Sequence, residues 1–303
     1  MTDLYKSCKL CPFECGADRT DGKLGRCAST DKMRVARIAP HYWEEPCLSG
    51  QGIEDPVKGS GTVFFVGCSL GCIFCQNRKI SDNHSNLGII LNEYELADEF
   101  MHLEQLGVHN INLVTASHFT PSVAKAITIA KSKGLTVPTV YNCSGYEKTE
   151  TLKMLEGLID VYMPDFKFCS SLLSSQYARC ENYREVTEKA VQEMQRQTGY
   201  PVFDEKGFMK RGTLVRHLVL PGSDADSRKI ISLLHSKYGS DGIALSVMSQ
   251  YTPTSDLPYP ELTEKLSPAA YLRVVEHAQK LGFEYLYTQS GESADESFIP
   301  EFR

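Results

Sequence analysis

The sequence predicts an α/β chain: a partial (β/α)6 TIM-like barrel over residues 61–303, preceded by a small cysteine-rich N-terminal extension over residues 1–60. From residue 61 onward, short β-type runs alternate with amphipathic helical stretches, which is the pattern of a parallel sheet with crossover helices. Six such units can be read. That is enough for an open barrel and too few for the closed eight-stranded form. Residues 1–60, in contrast, are rich in Cys, Gly, Pro and charge and show little apolar periodicity, so this segment cannot bury a core of its own and needs a staple.

The first strand covers residues 62–66. After a cysteine-bearing loop, Asn92 and Glu95 have the spacing of an N-cap and its capping partner; Leu96, Phe100 and Leu103 recur at helical spacing, and Gly107 ends that helix. Strand two is 110–115, followed by a helix from Pro121, suited to a first helical position, to Gly134. Strand three is 136–141, interrupted by Pro138. A helix near 149–157 leads to strand four at 159–163, and a charged helix over 182–198 is closed by Gly199. Strand five is 212–220, stopped by Pro221-Gly222; a helix near 226–238 precedes strand six at 243–248. The last helix starts after Ser267-Pro268 and is capped by Gly282, and a β-like run at 285–289 is placed against a sheet edge. In open α/β sheets ligands gather at the carboxyl ends of the strands, which directs attention to the residues just after each one.

Composition narrows the function classes. With 303 residues, 42% of them hydrophobic, the chain is globular rather than disordered. A formal charge of −6 and a pI near 5.8 give no general attraction to polyanions, so a nucleic-acid partner is not expected. The first residues lack the apolar core of a secretory signal, and no apolar run reaches the ~18 residues of a membrane span. The expectation is a cytoplasmic protein without a membrane partner. Eleven cysteines in such a chain point to metal or cluster ligation rather than to a disulfide framework.

Seven of these cysteines form two groups. Cys68, Cys72 and Cys75 sit within eight residues directly behind an apolar β-type run. Three thiols at this C-x3-C-x2-C spacing can wrap one cubane [4Fe-4S] cluster through three irons and leave the fourth iron open to an exogenous ligand. Gly67 and Gly71 allow tight turns around a bulky inorganic core, and Phe74 offers a flat apolar ring. The bland alternatives are three buried free thiols or a zinc knuckle completed by His84, which lies in a polar loop-like segment. The second group, Cys8, Cys11, Cys15 and Cys27, suits a structural Zn2+ site, a second iron–sulfur cluster, or unliganded thiols; its spacing does not choose among them. Cys47, Cys143, Cys169 and Cys180 are scattered and read as small buried hydrophobes. The segment 38–50, with the only tryptophan, reads as an extended connector packing on the main domain or as part of an active-site mouth.

The loop around Cys68, Cys72 and Cys75 resembles the signature of the radical S-adenosylmethionine (SAM) superfamily. The wider match Cys75-Gln76-Asn77-Arg78 is similar to the glycyl-radical-enzyme activases, such as pyruvate formate-lyase activating enzyme. Met163-Pro164-Asp165-Phe166-Lys167, the Arg216-His217 segment ending in Pro221-Gly222, the stretch 248–253 and the N-terminal cysteines resemble the activase-like PflX-type iron–sulfur proteins, and this resemblance spans nearly the whole chain. It implies a barrel of the radical SAM type in which the open iron chelates the amino and carboxylate groups of SAM and Phe74 packs against the adenine.

The resemblance also suggests cofactor roles for the strand ends. After strand two, the family's glycine-rich stretch ending in glutamate is absent; Thr115, Ser117 and His118 stand there instead as candidate SAM contacts, with a helix-cap role the alternative for His118. Asn142 and Ser144 follow strand three as further SAM contacts or as plain turn residues. Asp165 and Lys167 after strand four would orient the SAM ribose and carboxylate or the substrate backbone, unless they form a solvated pair. Arg216 in strand five would hold an anion such as the SAM carboxylate, since an arginine inside a barrel is costly unless paired. Gln250 and Tyr251 are candidate substrate contacts. The function expected is an activase-like oxidoreductase: SAM is cleaved reductively, and the 5′-deoxyadenosyl radical takes hydrogen from a protein glycine, with electrons from a flavodoxin- or ferredoxin-type donor. Alternatives are the same chemistry on a peptide or small-molecule substrate, or a non-catalytic electron-transfer or zinc-binding protein. No ferredoxin-like cysteine-rich insertion follows the triad, which separates the chain from the true activases.

Overall fold

The computed structural model describes residues 3–50, 59–81, 87–253 and 257–289, together with Phe302. Its strands are β1 (Met33–His41), β2 (Ser60–Phe65), β3 (Ile89–Leu91), β4 (Ile111–Val114), β5 (Thr139–Cys143), β6 (Val161–Pro164), β7 (Val202–Phe203), β8 (Met209–Leu218), β9 (Ala244–Met248) and β10 (Leu286–Thr288). The strands β2, β4, β5, β6, β8 and β9 pair in parallel in that order, and β10 adds in parallel on β9. On the other side β1 runs antiparallel to β2, and β3 antiparallel to β1. The sheet order is therefore β10-β9-β8-β6-β5-β4-β2-β1-β3, with β7 hairpinned onto β8; its two ends do not pair among the described residues, so the barrel is open. The partial (β/α)6 barrel expected from the sequence is present.

The helices are α1 (Asp3–Lys6), α2 (Pro46–Ser49), α3 (Arg78–Ser81), α4 (Glu93–Gln105), α5 (Thr120–Ser132), α6 (Thr149–Lys153), α7 (Ser171–Ala178), α8 (Tyr183–Thr198), α9 (Asp224–Tyr238) and α10 (Pro268–Leu281). The local chemistry behind them is legible. Asn92 accepts from the backbone of Tyr94 and Glu95, while Glu95 accepts from Asn92 N, closing the capping box of α4. Pro121 sits in the first turn of α5, and Gly282 ends α10 in the left-handed conformation.

Several elements differ from the sequence reading, each for a local reason. Strand β1 went unseen because Arg34, Arg37 and Pro40 interrupt its apolar alternation. Strand β5 starts three residues later than expected: Pro138 brings no N–H to the ladder and contributes only its carbonyl, which accepts from Ile111 N. Strand β8 begins earlier than expected because a turn at Asp204 to Phe208 folds β7 back onto it. The serine-rich helix α7 has a weak apolar face and is announced only by its Ser170 cap. His84 lies outside the described residues.

Period-2 alternation sorts the parallel strands into two faces. Leu113, Tyr141 and Tyr162 pack outward with residues of α4, α5 and α8, and Val215, Leu245 and Val247 pack outward with α9 and α10. The opposite face carries Val140, Val161, Met163, Leu214 and Ala244, and these are covered by Cys47 and Leu48 of α2. The extension therefore enters the open lumen and closes its floor. Asn110 Nδ2 fixes it by donating to Leu48 O (2.8 Å). Complete burial of Leu48 contributes on the order of 1.5–3 kcal/mol. Among the described residues no helix is long and apolar enough to cross a membrane.

Candidate active-site cavity

Above this floor the inward-facing side chains change from apolar to polar and surround a cavity of about 280 Å³. Its wall includes Cys68, Cys72, Phe74 and Cys75 from the loop after β2. The backbone there turns as its glycines require. Gly67 has φ 93° and Gly71 φ 64°, and a Cβ on Gly67 would stand 2.4 Å from Ser29 Oγ and 2.5 Å from Cys27 O. The loop is thus pressed against the N-terminal cysteine lobe. Phe74 meets Phe168 and Tyr177 edge to face at 6.1 and 6.3 Å, which fixes its ring in the wall.

Burial pushes the Cys68 thiol up to about 11 and raises Cys72 further. Such thiols keep their protons unless a metal displaces them. No three His, Cys, Asp or Glu side chains among the described residues converge on a point that would hold a single ion. A cubane makes a different demand, since it takes each thiolate at a separate iron corner, and three thiols around one cavity suit that donor arrangement.

The strand ends supply the rest. Thr115 lines the cavity directly after β4 with φ 62°, a costly conformation for a β-branched residue, held by Thr115 N donating to Asn142 O (2.8 Å). Asn142, Ser144, Asp165, Lys167, Arg216 and Gln250 also face the cavity. Gln76, next to the third cysteine, donates to Gln250 O and ties the thiol loop to the end of β9. Gln289, beyond β10, accepts from Ser249 N (2.7 Å) and steadies that same turn.

Three expected contacts point elsewhere. Ser117 is buried and donates to Glu147 Oε1 (2.5 Å). His118 is buried with Nε2 on Val66 O (2.9 Å), and its carbonyl accepts from Arg19 Nη1 (2.7 Å), so it anchors the extension instead of facing the cavity. Both belong to a one-turn 3-10 segment whose geometry turns their side chains inward to the protein. Tyr251 is also buried, donating to Leu262 O (2.5 Å).

Arg216 finds its anion within the protein. Nε donates to Asp165 Oδ1 (3.1 Å), Nη1 to Glu44 Oε2 (3.2 Å) and Nη2 to Asn142 Oδ1 (2.7 Å). Lys167 Nζ donates to Asp165 Oδ2 (2.5 Å), and Asn112 Nδ2 to Glu44 Oε1 (3.2 Å). Burial pushes the Asp165 carboxyl up, but Lys167 and Arg216 outweigh it and hold the group below its usual value. For Glu44 and Glu45 burial wins over Arg216 and raises both. These two glutamates come from the segment read as a connector or a share of the mouth; with His41 and Trp43 they line the cavity. Nothing in the spacing of residues 38–50 showed that this segment enters the barrel. Cys47 packs in the floor, where burial pushes its thiol up to about 12.

His217, adjacent to Arg216, faces outward with Nδ1 on Phe166 O (2.7 Å), and burial lowers it from 6.5 to about 4. The unfolded chain takes up that proton below 6.5, while the folded imidazole refuses it until about 4, so stability falls as pH drops through this window. Urea midpoints measured across it are expected to fall, and His217→Asn is expected to reduce the slope.

The four N-terminal thiols share a lobe built on Arg19, a fully buried cation. Its Nη1 donates to His118 O (2.7 Å) and reaches Cys8 Sγ at 3.6 Å, Nε and Nη2 donate to the carbonyls of Ser29 and Thr30, and Tyr5 and Phe119 flank its guanidinium. No carboxylate pairs with it among the described residues.

No protein-family model matches the chain. In sequence it is 26% identical over 292 residues to an uncharacterized protein of Methanocaldococcus jannaschii, a match covering 94% of this chain and 78% of that protein. Among solved structures, SuiB of Streptococcus suis superposes with a TM-score of 0.52 over 75% of this chain, at 12% identity. The chain has the fold of SuiB. It spans 48% of SuiB's length. SuiB bound to S-adenosylmethionine superposes with a TM-score of 0.49 over 80% of this chain and 50% of SuiB, at 13% identity.

Proposed function

We propose that the protein is a radical SAM enzyme of the activase-like PflX type. The observation that carries this reading is the convergence of three thiols, the Phe74 ring and four polar strand ends on one cavity at the carboxyl end of a parallel sheet. When bound, a [4Fe-4S] cluster reduced by a flavodoxin- or ferredoxin-type donor would supply the one electron that reductive cleavage of SAM to methionine and a hydrogen-abstracting 5′-deoxyadenosyl radical requires. The residues of this chain position and exclude. Cys68, Cys72 and Cys75 would hold three irons, Phe74 would pack on adenine, and Thr115, Asn142 and Ser144 would meet the ribose and amino acid moiety. Lys167, paired with Asp165 beside Cys72, sets the positive field on the thiolate side of the cavity. The resemblance favours a protein or peptide glycine as substrate, with a small molecule as the alternative.

The proposal includes a second thiolate site, at Cys8, Cys11, Cys15 and Cys27, holding a second cluster or, once metal binding draws thiols together that do not converge on one point in this structure, Zn2+ as a staple. Arg19 supports it: a buried cation without a carboxylate partner is balanced by the negative charge of a metal–thiolate group.

The test of the enzyme reading is anaerobic reconstitution with iron and sulfide, then dithionite and SAM. Methionine and 5′-deoxyadenosine are expected in equal amounts. Protein that keeps its cluster yet yields no 5′-deoxyadenosine is an electron-transfer or structural protein instead.

A further inference from the structure

The two thiol groups of the chain approach each other at one peptide, Val66–Gly67, which leads into Cys68. The parallel ladder ends before it. The last pair of β2 and β4 is Phe64 with Val114, so Val66 O, in a residue only 1% exposed, lies beyond the strand bonding. His118 Nε2 takes the place of a strand donor at 2.9 Å. A carbonyl only accepts, so the imidazole carries its proton on Nε2. Ser29 Oγ divides its one proton between Val66 O (3.4 Å) and Cys27 O (3.2 Å). Gly67 is held as well: the space that a side chain would need is filled by Ser29 Oγ and Cys27 O, and its N–H donates to Ile80 O (2.7 Å). Groups of the N-terminal lobe and its His118 anchor therefore fix the path of the chain into Cys68.

Arg19 joins both holders to the N-terminal thiols. Its Nη1 donates to His118 O and also reaches Cys8 Sγ, while Nε donates to Ser29 O (3.1 Å). Cys27, whose carbonyl abuts Gly67, is itself one of those four thiols. We propose that His118 and Ser29 are positioning residues for Cys68, and that through Arg19 and Cys27 the occupant of the N-terminal thiol site sets the geometry of the cavity's cysteine loop. The lobe is then part of the active-site scaffold as well as a staple. Charge supplies the coupling. Four thiolates around a metal carry net negative charge, and a guanidinium hydrogen bond to a thiolate is stronger and shorter than one to a thiol. The same guanidinium grips His118 and Ser29, so a tighter hold on Cys8 is felt at the Val66 carbonyl. This inference rests on the radical SAM reading, in which Cys68, Cys72 and Cys75 hold the cavity's cluster.

The test has two arms. The first reads the electron paramagnetic resonance signal of the full-length, cluster-loaded and reduced protein that SAM perturbs, frozen before cleavage, and takes the SAM affinity from its titration. His118→Leu, an apolar side chain without a donor, is expected to shift the signal and weaken SAM binding about tenfold, and His118→Gln, whose Nε2 can donate to Val66 O, to restore both. The second arm needs neither SAM nor a cluster in the cavity. In the full-length Cys68→Ala/Cys72→Ala/Cys75→Ala protein, Zn2+ is added and hydrogen exchange of the Gly67 amide is followed. Exchange is expected to slow about tenfold as the N-terminal site fills. A wild-type signal and SAM affinity in His118→Leu, or a shift that His118→Gln leaves in place, overturns the positioning role. Exchange at Gly67 indifferent to Zn2+ overturns the coupling, and this arm decides if His118→Leu fails to fold. Protection of Gly67 in a protein whose wild type shows no SAM-responsive signal would sink the enzyme reading alone. A wild type that responds to SAM, with His118→Leu and Zn2+ both without effect, would sink this inference alone.

Discussion

Replacing Cys68, Cys72 and Cys75 together by alanine is expected to remove the cavity's iron and sulfide and to bring 5′-deoxyadenosine formation down to the protein-free background. The thiols lie in a loop after β2, where Cys68 and Cys72 border an apolar cluster without being members of it; Leu70 and Phe74, which the variant keeps, anchor the loop there. Circular dichroism of the variant is therefore expected to match wild type, separating loss of chemistry from loss of fold. Metal analysis of the same variant reads the N-terminal lobe by itself. Zinc retained without iron marks a structural staple at Cys8, Cys11, Cys15 and Cys27, and residual iron with sulfide marks a second cluster. A triple variant that still cleaves SAM contradicts the assignment of these thiols.

Arg216→Met is expected to cost about 3–5 kcal/mol in urea unfolding, the range for breaking a buried ion pair from one side. The substitution leaves Glu44 and Asn142 without their partner and Asp165 with Lys167 alone. Arg216→Lys is expected to recover only part of the loss, because a lysine keeps the charge but cannot fork to Asp165, Glu44 and Asn142 at once. The cost has a defined pH dependence. Asp165 is depressed in the folded state, so its contribution is present above its unfolded value of 3.8 and fades as pH falls below that. Glu44 and Glu45 are raised and become neutral on the way down, which relieves the charge that Arg216 no longer meets. Both effects shrink the difference between variant and wild type in acid. A cost that grows as pH falls would show that the network is not what Arg216 stabilises.

Much of the barrel was legible because its signals are local. The Asn92/Glu95 box, Pro121, Gly199 and Gly282 each mark a helix end by their own backbone chemistry, and the outward residues of the parallel strands repeat every second position. The thiol loop was legible for the same reason, since its spacing is a property of one short segment. The floor of the cavity was not. Glu44 and Glu45 follow Trp43 in a stretch without periodicity, and their meeting with Arg216, some 170 residues on, depends on α2 entering the lumen. Arg216 was read as holding an anion such as the SAM carboxylate, and the sequence offered no way to see that Asp165 and Glu44 of the protein stand there. His118 and Ser117 show the converse: polar residues at a strand end whose side chains are spent on Val66 and Glu147, holding the extension and α6 region to the barrel.

The most direct test of the central claim is electron–nuclear double resonance on the reduced, cluster-loaded protein with SAM isotope-labelled in its amino nitrogen and carboxylate oxygens. Magnetic coupling of both labels to the cluster is predicted, lost in the Cys68/Cys72/Cys75 variant. A reduced cluster that shows no coupling to either label while SAM is bound would contradict an open iron in this cavity.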